Sequence, residues 1–130
     1  MYVLDTNTVI YAFTGKGEVA SRLLSVKPAE VAIPAVSVYE LEVGIELSRA
    51  GQRRRDQLDS LLSTVNVLSF GRTEARAAAQ IRRGLERTGR GIGPLDVLIA
   101  ATAQACAGIL VTHNVRELSR VPGLLVEDWY

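Results

Sequence analysis

The sequence predicts an α/β domain in which helices cover both faces of a central, mostly parallel sheet of four to five strands. Two observations predict it. The runs Tyr2-Val3-Leu4, Val31-Ala32-Ile33 and Ile109-Leu110-Val111 are apolar without alternation, as strands buried on both faces are. Segments of helical periodicity separate them, and such an alternation implies parallel strands joined by right-handed crossovers. At 130 residues the chain is expected to form a single domain over residues 1-130, with one core and no need of staples.

The first strand delivers Asp5 to its carboxyl end. Ligands bind at that edge of open α/β sheets, because loops splay apart there and helix N-termini point into the gap. Asp5 either caps the next helix or belongs to a site, and carboxylates returning to the same edge decide between the two. Thr6 or Asn7 can cap a helix through Val9, Ile10 and Phe13 that stops at Gly15. A second helix runs from Glu18 to Val26, with Val19, Leu23 and Leu24 on one face. Val31-Ala32-Ile33 is a brief strand stopped by Pro34.

Ser37 is expected to cap a helix from Val38 to about Ala50, with Gly51 as its stop. Val38, Leu41 and Ile45 share one face of it, and it carries Glu40, Glu42 and Glu46. Glu40 and Glu42, two apart, point to different faces. Glu40 has Ser37 and Gly44 beside it and leaves more room for a ligand. The next helix is Arg-rich at its head, Arg53 to Arg55, and turns Leu58, Leu61 and Leu62 inward. Val65 to Leu68 is a third strand.

Thr73 is expected to cap the longest helix, Glu74 to Arg87. At about 100° per residue, Arg76, Arg83 and Arg87 fall within roughly 60° of one another, opposite Ala78, Ile81 and Leu85. This is either a solvated face or a stripe for phosphate. The glycine-rich segment Gly89 to Gly93 leads to Pro94, suited to a first helical turn. The helix that follows, Leu95 to Ala107, is small and apolar almost all round and is expected to be buried, with Asp96 in its first turn and Cys106 as a packing residue. Ile109 to Thr112 is the fourth strand, His113-Asn114 opens the loop at its carboxyl end, Val115 to Leu118 allows one helical turn, and Leu124 to Glu127 is an edge strand.

Composition excludes some classes. A net charge of +1 argues against nucleic-acid binding through bulk charge, so any contact must be a local patch. Of the 15 basic residues only Lys16 and Lys27 are lysine, and arginine favours bidentate contacts to phosphate and carboxylate. One cysteine and one histidine supply neither a disulfide nor an ordinary zinc site, which fits a reducing cytosol. Asp5 interrupts what would be the apolar part of an export signal, and no apolar stretch reaches the length of a membrane span, so a cytoplasmic protein is expected.

In a parallel sheet the ends of strands one and four can face one crevice, together with the helices that hold Glu40 and Asp96. Asp5, Glu40, Asp96 and Asn114 or Glu117 are therefore candidates to converge. Oxygen ligands without His or Cys suit Mg²⁺ or Mn²⁺, and carboxylates crowded together favour a cation. A lone loop histidine such as His113 is more often exposed than catalytic.

The stretches YVLDTN, SVYELEVG, PLDVLIAATA and LVTHNVREL with VPGLLVEDW, in this order over nearly the whole chain, resemble a PIN domain, specifically a VapC-type ribonuclease toxin of a toxin-antitoxin pair. The resemblance implies a PIN-like three-layer α/β/α sandwich and metal-dependent hydrolysis of single-stranded RNA. By its motifs Asp5, Glu40 and Asp96 form the metal site, with Mg²⁺, or Mn²⁺, held by Asp5 and Asp96 while Glu40 positions water or a second ion. Asn114 followed by Glu117 matches the position of a fourth acid, with Glu where Asp is usual. Thr6, Asn7 and Thr112 are similar to family residues that orient the carboxylates. The resemblance also implies a homodimer and a cognate VapB-like antitoxin, with Arg53, Arg54, Arg76, Arg83 and Arg87 as candidates for contacts to RNA or to that partner. A competing reading is a catalytically weak or inactive PIN module that binds RNA or protein; binding without metal dependence would favour it. A phosphoacceptor receiver domain is a poorer match, because it needs adjacent acids near the first strand and a late lysine that this chain lacks.

Overall fold

A computed structural model describes residues 1–130. The chain runs β1 (Tyr2–Leu4), α1 (Thr6–Thr14), α2 (Val19–Ser25), a single 3-10 turn (Pro28–Glu30), β2 (Val31–Pro34), α3 (Ala35–Leu47) and α4 (Gly51–Leu62). It continues with β3 (Asn66–Leu68), α5 (Arg72–Arg87), α6 (Pro94–Ala105), β4 (Ile109–Val111), α7 (Val115–Leu118) and β5 (Leu125–Glu127). The five strands form one sheet in the order β3-β2-β1-β4-β5, and every neighbouring pair is parallel. β5 is an edge strand, as expected.

The sheet divides the core in two, because successive side chains of a strand point to opposite faces. Val3 and Leu110 turn to one face, where Ala78, Ile81 and Leu85 of α5, several residues of α6 and Leu118 of α7 cover them. Leu4 and Val111 turn to the other and pack with Val9, Val19, Leu41 and Leu58 of α1 to α4. The result is the expected three-layer α/β/α sandwich. α6 is buried at Val97 and from Ile99 to Ala103, and its small residues let it lie close to the sheet. Gly108 permits a close approach between the turn after α6 and β1, since a Cβ there would come within 2.8 Å of Val3.

Several boundaries differ from the sequence expectation. Asp5, rather than Thr6 or Asn7, caps α1. α3 begins at Ala35 behind Pro34, so Ser37 lies inside the helix and caps nothing; its buried Oγ has no partner. Gly51 opens α4 instead of ending α3, because α3 stops at Leu47 and the Ser48 Oγ accepts the Ala50 N–H at 3.0 Å to shape the intervening turn. α5 is capped at Gly71, not Thr73, and the Glu74 carboxylate reaches back to the Gly71 N–H at 3.3 Å. α6 ends at Ala105, which leaves Cys106 exposed rather than packed. Leu24 stands outside the α2 core face that Val19 occupies.

Candidate active site

Asp5 lies one residue past β1. Its N–H still donates to the Val111 carbonyl at 3.1 Å, so the sheet ladder fixes its backbone at the carboxyl edge. The side chain is buried to 8% exposure, and Oδ1 accepts the Thr8 N–H at 2.9 Å. One oxygen thus caps α1, as helix geometry requires, while the protein offers Oδ2 no donor. Capping and a site role are compatible.

Three further carboxylates return to this edge. Glu40, half-buried in the second turn of α3, accepts a 2.7 Å hydrogen bond from the Thr6 hydroxyl. Asp96 stands in the first turn of α6. Its carboxyl is pushed up to about 6, chiefly by burial and then by the charges of Asp5, Glu40 and Glu117. The charges of these three acids reach Asp96 and add to burial in opposing its ionisation. Glu117 is held from its own helix start, where Asn114 Nδ2 donates to Glu117 Oε2 at 3.0 Å. Asn114 and Glu117 therefore act as a pair, and neither replaces the other.

None of the four acids forms a salt bridge, in a chain whose basic residues are nearly all arginine. By contrast Glu42, the alternative to Glu40 on α3, is neutralised by Arg55 at 2.7 Å. An edge with unpaired carboxylates and only oxygen donors fits Mg²⁺ or Mn²⁺ in chemistry. The side chains as they stand do not close a cage of three ligands about one point. A divalent ion held there would draw its remaining ligands from water and substrate phosphate.

The residues expected to orient the acids divide. Thr6 bonds Glu40 directly. Thr112 is fully buried, and its hydroxyl accepts the Asn114 N–H at 3.0 Å, so it shapes the loop before Glu117 rather than touching an acid. Asn7 is exposed and has no side-chain hydrogen bond. Thr8 lies outside the expected set, yet it donates its N–H to Asp5 and its hydroxyl to the Val111 carbonyl at 3.0 Å, tying α1 to β4. Its place three residues after a capping Asp was the available clue.

The candidate arginines also divide. Arg76, Arg83 and Arg87 line the exposed face of α5 without ion pairs, while Arg82 pairs with Glu86 at 2.8 Å. Arg53 is exposed, and Arg54 donates to Gln57 at 2.6 Å beside an apolar groove lined by Ile10, Phe13, Leu41 and Ile45. His113 is exposed, as expected of it, and its Nδ1 donates to Asp128 at 3.0 Å.

Comparison with known proteins agrees with this architecture. The PIN domain family matches residues 2–124. The tRNA(fMet)-specific endonuclease VapC of Salmonella typhimurium is 34% identical over 128 residues, covering 98% of this chain and 97% of that one. Ribonuclease VapC2 of Rickettsia felis is 32% identical over 131 residues, covering 99% and 98%. Among solved structures, DNA-bound VapBC from Salmonella typhimurium superposes with a TM-score of 0.92 at 33% identity over 99% of this chain and 98% of that one. A profile spanning nearly the whole chain, and relatives this similar over their full length, settle the assignment: the chain belongs to the PIN domain family and, within it, to the VapC ribonucleases.

Proposed function

We propose that the protein is the toxin of a type II toxin-antitoxin pair: a Mg²⁺-dependent endoribonuclease acting on single-stranded or loop RNA and neutralised by a cognate VapB-like antitoxin. The observation that carries this reading is the carboxylate edge without ion pairs, where Asp96 is held above the usual carboxylate range first by burial and then by the charges of Asp5, Glu40 and Glu117. Asp5 and Asp96 would hold a divalent ion at the sheet edge, and that ion would supply Lewis-acid polarisation of the phosphoryl group and a lowered pKa for the attacking water. Glu40, steadied by Thr6, would position that water or a second ion, and Asn114 keeps Glu117 at the rim. No side chain need serve as nucleophile.

The α5 arginines are suited to backbone phosphates. The groove between α1, α3 and α4, with Arg54 at its margin, suits an apolar segment of the antitoxin, and the exposed Tyr39, Val43 and Leu47 of α3 suit a homodimer. VapBC complexes among the similar structures support a partner of this kind. No helix is long and apolar enough to cross a membrane, and the proposed RNA substrate would be met in the cytoplasm.

The test is to incubate the purified chain with a pool of structured RNAs in Mg²⁺, Mn²⁺ or EDTA. The tRNA(fMet) specificity in the Salmonella relative's name makes initiator tRNA the first substrate to include. Discrete products that require metal support the reading. Binding without cleavage under any metal sinks it in favour of an inactive PIN module.

A further inference from the structure

Beside the carboxylate edge lies an aromatic cluster that the proposed hydrolysis does not use. The His113 ring stacks on Tyr130 with centroids 4.1 Å apart and planes 21° from parallel. Tyr11 of α1 meets both edge-on, at 5.0 Å from Tyr130 and 6.0 Å from His113. The single histidine and two of the four tyrosines of the chain are thus gathered in one place.

One carboxylate locks the stack. Asp128 Oδ2 accepts from His113 Nδ1 at 3.0 Å, and Asp128 Oδ1 accepts the Tyr130 N–H at 2.9 Å. Gly17, at φ +61°, lets the α1–α2 turn lie directly under this segment, since a Cβ there would collide with the Tyr130 backbone. The stack is not needed to anchor the chain after β5. Trp129, 2% exposed, is buried against Tyr2 at 5.2 Å, and Glu127 is paired with Arg22 at 2.6 Å. Yet the stack is open to solvent: 48% of Tyr130 and 47% of the His113 side chain are exposed. Rigid, exposed rings held in place by hydrogen bonds have the properties of a binding surface rather than of a core.

The position points to its occupant. His113 lies between Thr112 and Asn114, the loop that presents Glu117 to the acids. Tyr11 is six residues along α1 from Asp5, ~9 Å at the rise of a helix. Arg116, exposed and without an ion pair, follows three residues after His113. An exposed π-surface on the loop that leads to Glu117, with the unpaired Arg116 three residues on from His113, has the two elements of single-strand recognition: a stacking platform and a backbone contact.

We propose that His113 and Tyr130, edged by Tyr11, form a stacking platform for a nucleobase of the bound RNA flanking the phosphate at the Asp5–Asp96 edge. The proposal rests on the ribonuclease reading and adds to it a contact that sets where along the strand the substrate is held.

The experiment is an abasic walk on the full chain. A single-stranded RNA is prepared with one abasic nucleotide at each position in turn, and binding is measured by fluorescence anisotropy in EDTA. For the wild type, one position should weaken binding roughly 5- to 150-fold, the range carried by base–aromatic stacking. Tyr130→Ala should lose that position dependence and Tyr130→Phe should keep it. A flat walk with the wild type, or the same dependence in Tyr130→Ala, overturns the platform; the wild-type arm needs no variant to fold. Because binding is read without metal, the two readings fail separately. Metal-dependent cleavage with a flat walk removes the platform alone. A position-dependent walk in a chain that cuts nothing keeps the platform and removes the nuclease.

Discussion

The Thr6 hydroxyl donates to Glu40 Oε1 at 2.7 Å, joining the first residue of α1 to the second turn of α3. This contact fixes one acid of the edge relative to another, since Thr6 directly follows Asp5. A charge-assisted bond of this kind is worth about 1.5–3 kcal/mol. Thr6→Val should therefore lower single-turnover cleavage about 10-fold or more with RNA affinity unchanged, whereas Thr6→Ser should keep most of the rate. Equal rates in wild type and Thr6→Val would show that Glu40 needs no such steadying.

Asp96 carries the pH dependence. Its carboxyl binds a proton up to about 6 in the folded chain, against an ordinary value of 3.8, so between these values the native state holds more protons than the unfolded state. Stability therefore falls as pH rises through that window, and the penalty is fully present above it. Asp96→Asn should raise Tm in EDTA at pH 7.5, with the difference shrinking as pH falls through the window and gone near its lower end. In the wild type at limiting Mg²⁺, protons compete with metal, so cleavage should drop by up to about tenfold per pH unit below about 6. A Tm gap unchanged between pH 7.5 and 4 would contradict a raised Asp96 carboxyl.

The α5 stripe is separable from its neighbours because Arg76, Arg83 and Arg87 are free while Arg82 is paired with Glu86. If the free side chains contact RNA phosphates, Arg83→Ala and Arg87→Ala should each reduce the slope of log affinity against log salt by about 0.7. Arg82→Ala should change it least. Identical slopes for all the variants would leave α5 as a solvated face.

The chain after β5 is held by burial more than by charge. Trp129 is 2% exposed, its Nε1 donates to Glu127 at 2.9 Å, and the Arg22 guanidinium lies 5.3 Å from its ring. Trp129→Ala should cost about 3–5 kcal/mol in urea unfolding. Arg22→Ala should cost less than about 1 kcal/mol, because that pair is half-exposed. A reversed ranking would mean that the ion pair, not the indole, is the anchor.

The strands and their order of appearance were legible because β1, β2 and β4 are continuous apolar runs that only a doubly covered sheet can bury. Helix boundaries were less so. Ser37 has the residue type of a cap, but Pro34 ends β2 so close to α3 that the helix starts before it. Gly51 has the residue type of a stop, but Ser48 closes the turn earlier. That Asp5, Glu40 and Asp96 return to one edge was readable because each sits at a strand end or near a helix start, which the topology brings to that edge. The Asn114–Glu117 pairing needed the rotamers. The cluster of Tyr11, His113, Asp128 and Tyr130 unites residues more than a hundred positions apart, and no local pattern announces it. Cys106 departs from its expected packing role because α6 stops at Ala105, and the lost end of the helix turns that side chain from core to solvent.

Catalysis by acids that act through a divalent ion is tested most directly by the rate of RNA cleavage against Mg²⁺ and Mn²⁺ concentration for the wild type, Asp5→Asn and Asp96→Asn. The expected outcome is a saturable metal dependence in the wild type, abolished by EDTA, and rates at least about 100-fold lower in both variants at every metal concentration. Wild-type cleavage that persists in EDTA, or that either variant retains in full, would contradict it.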